Sequence, residues 1–214
     1  MKLFFSPTSP YVRKCMVTAH ELGLVERIAL LPSQAHPVNR DANLVSTNPL
    51  GKVPTLVTDA GEALGQSLAI IEYLEEVHPQ PPLLPAGAVD RARVRALAQA
   101  IACEIHPLNN LRVLKYLVRE LKVDEAAKDQ WYRHWVRVGL EAFERELAQG
   151  PQAAFCFGDT PTLADCCLVP QIFNARRLDT DLTGLPRTMA AFDACMALPA
   201  FQQAQPSACP DAEG

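Results

Sequence analysis

Three hydroxyls crowd one short turn. Ser6-Pro7-Thr8-Ser9-Pro10 follows the apolar run from Lys2 to Phe5, and Val12, Cys15, Met16, Ala19 and Leu22 then recur at helical spacing up to Gly23. A hydroxyl at a helix start has two compatible uses. Ser9, placed before a proline at the first helical position, can cap the helix. It can also join backbone N–H groups and the positive helix end in holding an anion such as a thiolate, whose parent thiol otherwise ionises near pH ~8.5.

Other stretches could hold a polar ligand. In Asn48-Pro49-Leu50-Gly51-Lys52-Val53-Pro54 the last proline opens a strand, where its missing N–H does no harm, and Lys52 is either a ligand cation or a solvated side chain. Gln66-Ser67 stands at a helix start, which either caps the helix or receives a carboxylate. His106, Asn109 and Asn110 are spaced i, i+3 and i+4, so their polar groups converge on one helix side, unless His106 is a core histidine. Arg112, seven residues after Ile105 and four after Leu108, is expected along an apolar stripe, where a guanidinium requires an anionic partner. Arg177 is the second candidate cation, with its neighbour Arg176 expected in solvent.

These groups need elements to position them. Lys2 to Phe5 and Arg27 to Leu31 read as parallel strands around the first helix, in a right-handed unit. Pro54 to Val57 and Ala63-Leu64, joined by Asp59-Ala60-Gly61-Glu62, read as an antiparallel hairpin. A helix over Ser67 to Val77, with Leu68, Ile71 and Leu74 inward, completes the order β-α-β-α-β-β-α. The stiff, donor-poor segment from His78 to Pro85 reads as a linker.

Beyond it the pattern is helical. Leu97, Ile101, Ile105, Leu108, Leu111, Leu114, Val118 and Leu121 predict one long helix, kinked at Pro107. Trp135 to Leu147 marks the next helix, Thr162-Leu163-Ala164-Asp165 is a capping box opening a third, and Leu185 to Leu198 forms a fourth. The tail after Phe201 lacks periodicity and is expected to be loosely held. The expected domains are residues 1–80 and 89–214, with 81–88 as linker.

Composition excludes several classes. The chain of 214 residues is 49% hydrophobic and 21% charged, too apolar to be disordered. Its 20 basic and 24 acidic side chains leave a charge of −4 without a basic cluster, so nucleic acid is not an expected partner. No apolar run reaches the ~18–20 residues of a membrane span, and proline interrupts any signal-like start, so neither membrane nor export is expected and a cytoplasmic location is. Cys15, Cys103, Cys156, Cys166, Cys167, Cys195 and Cys209 lack the close pairs of a zinc site and read as reduced, mostly buried thiols. No metal is expected.

The motifs Ser6 to Pro10, Asn48 to Pro54, Gln66-Ser67 and Gly158 to Asp165, in this order, resemble the cytosolic glutathione transferase superfamily. From residue 66 onward, Cys103 to Arg112 and Leu168 to Arg177 resemble its zeta class, the bacterial maleylpyruvate and maleylacetoacetate isomerases. The first sixty residues are closer to general bacterial transferases; Phe5 stands where related maleylpyruvate isomerases carry an arginine. The resemblance implies an α/β thioredoxin-like N-terminal domain plus an all-α C-terminal domain, with glutathione as cofactor. Ser9, Thr8 or Ser6 would face the thiol, with Ser9 and Thr8 ranked above Ser6. A cis Val53–Pro54 bond would present Val53 to the cysteinyl backbone, and Gln66 and Ser67 would take the γ-glutamyl end. Lys52 would reach the glycyl carboxylate, with His106, Asn109 and Asn110 completing the cofactor set.

Arg112 and Arg177 would then grip a small maleyl dicarboxylate undergoing cis-trans isomerisation. A general conjugating transferase and a non-catalytic glutathione-binding module remain as alternatives. A homodimer is also expected, because two helices of about thirty residues cannot cover both their sides within so small a chain.

Overall fold

The computed structural model describes residues 1–6, 9–33, 41–205 and 208. Internal contacts divide the chain into two compact units. One is Met1–Leu83 with the described part of Ala197–Gly214, and the other is Leu84–Met196.

The first unit runs β1 (Lys2–Phe5), α1 (Pro10–Glu21), a 3₁₀ turn at Val25–Arg27, β2 (Ala29–Pro32), α2 (Ala42–Thr47), β3 (Thr55–Val57), β4 (Ala63–Gly65) and α3 (Ser67–Val77). Sheet order is β2-β1-β3-β4, with β2 parallel to β1 and the other pairs antiparallel. Local pattern explains the elements. Leu3, Phe4 and Phe5 are all buried because β1 lies inside the sheet, flanked on both edges. α1 stops at Gly23, whose φ of +64° suits a residue without Cβ. Ile70, Ile71 and Leu74 of α3 are buried, while Leu68 is only half-buried.

Of the tail after Phe201, only residues 202–205 and 208 are described, and the segment leading into it is helical. Pro199–Gln203 forms a short helix, α9, that packs against α1 with Phe201 and Ala204 fully covered. Five residues carry too little periodicity to announce a helix, and what orders this one is burial against a partner far away in sequence.

The second unit is helical: α4 (Ala88–Gln99), a π-helical stretch Ala100–Ile105, α5 (Leu111–Arg119), α6 (Glu125–Gln149), α7 (Leu163–Arg177) and α8 (Pro186–Met196). The single long helix expected across Pro107 is two helices. The π-type bond from His106 N–H to Ile101 carbonyl (3.0 Å) widens the last turn, and Pro107 offers no N–H to continue it. Asn110 then starts a new helix, its Oδ1 accepting the Arg112 N–H at 3.1 Å. Gly139 of α6 faces the π-helical stretch, and a Cβ there would overlap the Ile105 side chain.

Helix ends in this unit are pinned by buried side chains. Asp165 accepts from Thr162 N–H (2.8 Å), Thr162 Oγ1 (2.8 Å) and Cys156 N–H (2.9 Å), and lies 3.6 Å from the Cys195 thiol. Burial raises the Asp165 carboxyl pKa, and hydrogen bonds from Cys156 and Thr162 oppose that shift. Glu144 of α6 accepts the first N–H groups of α8 from Arg187 (3.0 Å) and Thr188 (2.8 Å), and Arg187 Nη1 returns to the Leu147 carbonyl of α6 at 2.6 Å.

Cys103 is exposed and the other described cysteines are buried free thiols; Cys209 lies outside the described residues. No helix of the described residues is long and apolar enough to cross a membrane, and none of their His, Cys, Asp and Glu side chains group as a metal site. Replacing Asp165 by Asn turns a donor toward buried N–H donors, so Asp165→Asn is expected to cost about 2–3 kcal/mol in urea unfolding.

Candidate active site

β1 delivers the chain to Ser6, and α1 begins after Ser9, so the hydroxyl turn lies between a central strand and a helix start. Ser9 is the N-cap by backbone position, with φ −77° and ψ 118°, yet its side chain makes no capping bond. The turn is held through its main chain instead: Ser9 N–H donates to Ser6 carbonyl at 3.1 Å and Arg13 N–H to Ser9 carbonyl at 3.0 Å. The Ser9 hydroxyl is therefore not consumed by capping, and both Ser9 and Ser6 are half-buried. Thr8 lies outside the described residues.

The loop before β3 is fixed by two residues that the sequence reading did not single out. Asn48 Nδ2 donates to Lys52 carbonyl (3.2 Å) and to Thr55 Oγ1 (2.9 Å), while its Oδ1 accepts the Leu50 N–H (3.1 Å). Thr55 Oγ1 in turn donates to Lys52 carbonyl at 2.8 Å. A polar residue just before Pro49 and another just after Pro54 were the available signal, since asparagine and threonine commonly tie turns to their own backbone. Within this clamp the Val53–Pro54 bond is cis, as the resemblance implied. Among the described residues, neither the N–H nor the carbonyl of half-buried Val53 has a hydrogen-bond partner, which leaves both for an extended ligand backbone. Lys52 is also half-buried.

Gln66 precedes α3 with φ +70°, a conformation that a residue with a Cβ adopts only when its surroundings impose it. Its side chain makes no capping bond, and Ser67 beside it is buried. Cys15 of α1 donates its thiol to the Ser67 carbonyl at 3.7 Å, which ties α3 to α1.

The second unit treats its candidates differently. His106 is buried, and Asn109 Nδ2 reaches the Tyr132 carbonyl at 3.4 Å. Asn110 is spent as the α5 cap. Arg112 is exposed, which corrects its placement along the apolar stripe: the break at His106 resets the helical phase on which that count relied. The same break undoes the convergence of His106, Asn109 and Asn110 along one helix. Arg177 is exposed at the end of α7, and Arg176 is exposed as expected, with its guanidinium over the Phe192 ring at 4.5 Å.

Among the described residues, the first unit offers a Ser9 hydroxyl not used in capping, the unpaired backbone groups of Val53 and the N-terminus of α3, which fit a peptide-like thiol. Comparison with known proteins agrees. The family of glutathione S-transferase N-terminal domains matches residues 8–77, and that of the C-terminal domains matches residues 125–201. A maleylpyruvate isomerase of Ralstonia sp is 52% identical over 165 residues, 77% of either chain. The holo structure of a maleylpyruvate isomerase, a bacterial zeta-class glutathione S-transferase, superposes with TM-score 0.93 at 41% identity over 100% of both chains. A maleylacetoacetate isomerase of Anaeromyxobacter dehalogenans, with dicarboxyethyl glutathione and citrate in its active site, superposes with TM-score 0.85 at 34% identity, covering 100% of this chain and 97% of that one.

The Asn48 clamp is testable by itself. Asn48→Ala leaves buried Thr55 without its donor, so a loss of about 1–3 kcal/mol in unfolding free energy is expected, with faster amide exchange at Leu50.

Proposed function

This chain belongs to the glutathione S-transferase family, and from that membership we propose that it is a glutathione-dependent cis-trans isomerase of maleylpyruvate or maleylacetoacetate. The observation that carries the reading is the uncommitted Ser9 hydroxyl at the start of α1, in a chain so close to known maleyl isomerases. Glutathione, when bound, supplies a thiolate that adds to the substrate double bond, permits rotation, and leaves unchanged.

The chain's residues supply the rest. Ser9, with Thr8 and Ser6 as the other donors of the turn, stabilises the thiolate together with the α1 N-terminus. Val53, held by the cis bond to Pro54, pairs its backbone with the tripeptide. Gln66 and Ser67 receive the γ-glutamyl carboxylate at the α3 N-terminus, and Lys52 the glycyl carboxylate. His106, Asn109 and Asn110 are left out of this set: His106 is buried, Asn109 reaches the Tyr132 carbonyl and Asn110 caps α5. Arg112 and Arg177, both exposed and so available to solvent-borne anions, grip the substrate carboxylates and steady negative charge that develops on the substrate carbonyl.

The proposal includes a homodimer in the cytoplasm. The reason given by helix length does not hold, because the expected long helix is broken. A different feature supports the dimer: α5 has no buried residue, and Leu111, Tyr116 and Leu121 are all more than half exposed in the single chain.

One observation favours a second reading, conjugation of glutathione to small electrophiles. Phe5, buried at the end of β1, occupies the place before the turn where a third cation would stand, so only Arg112 and Arg177 remain for a dianion.

A substrate panel with thiol accounting decides. Isomerisation should consume maleylpyruvate or maleylacetoacetate with catalytic glutathione that is fully recovered. Stoichiometric loss of thiol, with no maleyl turnover, supports conjugation instead. Arg112→Ala should lower kcat/KM for the maleyl substrate by roughly thirty- to a thousandfold, about 2–4 kcal/mol, while leaving glutathione affinity, the melting temperature and aryl halide conjugation unchanged.

A further inference from the structure

We propose that Arg13 is a positioning residue through which the C-terminal helix α9 holds the hydroxyl turn and thereby sets the acidity of the bound thiol. The inference rests on the glutathione reading above and concerns that same site.

Arg13 is a charged residue with only 3% of its surface exposed. Its guanidinium Nη2 donates to the carbonyl of Ala204, the C-cap of α9, which lies 191 residues away in sequence. Its own backbone N–H donates to the Ser9 carbonyl at 3.0 Å, and Ser9 N–H donates to Ser6 carbonyl at 3.1 Å. One residue thus grips the turn with its main chain and the C-terminal helix with its side chain.

α9 is itself firmly seated. Phe201 is wholly buried, and Gln203 bonds His20, two turns after Arg13 on α1, where burial lowers the imidazole pKa more than that bond raises it. Ser9 makes no side-chain capping bond, so the described bonds between the turn and α1 run through the main chain. Anchoring α1 by its fourth helical residue adds a long-range constraint to those local bonds. The buried cation also adds to the positive potential of the helix start, where water screens it poorly.

The test follows thiolate formation in the full-length protein saturated with glutathione, using the ultraviolet absorbance of the thiolate against pH, with calorimetric glutathione affinity and melting temperature measured alongside. Arg13→Ala should raise the titration midpoint by about one pH unit, a tenfold loss of thiolate at a given pH. Arg13→Lys, which keeps the charge and one donor toward Ala204, should recover most of that shift. Phe201→Ala leaves Arg13 in place but loosens α9, should move the midpoint the same way, and carries the test if Arg13→Ala does not fold. Glu144→Gln, in the other unit, should lower the melting temperature without moving the midpoint. Unshifted midpoints in Arg13→Ala and Phe201→Ala, whatever their melting temperatures, would overturn the positioning role. Absence of a bound thiolate in the unaltered protein would instead overturn the glutathione reading.

Discussion

A thiolate can persist at neutral pH only where several donors point at one place and none of them is already spent. That condition shapes the first unit. β1 occupies an interior position in the sheet, paired with β2 on one side and β3 on the other, so the point where the chain leaves it is well fixed. α1 starts a few residues later, and its first N–H groups open toward the same turn. Main-chain bonds from Ser9 to Ser6 and from Arg13 to Ser9 hold the turn without drawing on the hydroxyl. Cys15 joins α3 to α1 through the Ser67 carbonyl.

The second unit solves a different problem, that of burying helix ends. Asp165 receives the N–H groups at the start of α7 and of the preceding segment. Glu144 and Arg187 exchange bonds between the end of α6 and the start of α8. With those ends satisfied, α6, α7 and α8 form a stable frame, and Gly139 lets the π-helical stretch approach α6 closely. α5, which follows the break, has no fully buried residue, and its Leu111 and Tyr116 are more than half exposed.

Much of this was legible in the sequence, because period and punctuation act locally. The β-α-β-α-β-β-α order followed from changes of apolar spacing, the end of α1 from Gly23, and the start of α7 from Thr162 and Asp165, whose bonds span only three residues. The hydroxyl turn, the loop around Val53-Pro54 and the Gln66-Ser67 helix start each drew attention as a short run of particular residue types. The family they belong to was carried by the order of the motifs along the chain.

Tertiary structure decided the rest, for reasons of long range or of register. Whether the Ser9 hydroxyl capped α1 depended on a rotamer that no spacing reveals. Arg112 was misplaced because helical phase is a running count, and one π-type turn followed by Pro107 makes every later position wrong. Arg176 found the Phe192 ring across the boundary between α7 and α8. Asn48 and Thr55 became a clamp only once the loop between them was closed. Least readable of all was α9, five residues without period, which packs Phe201 and Ala204 against α1 and accepts a bond from Arg13 near the other end of the chain. Local residue types determined which elements and which chemical groups this chain has, and contacts between distant residues determined which of those groups were left free to act.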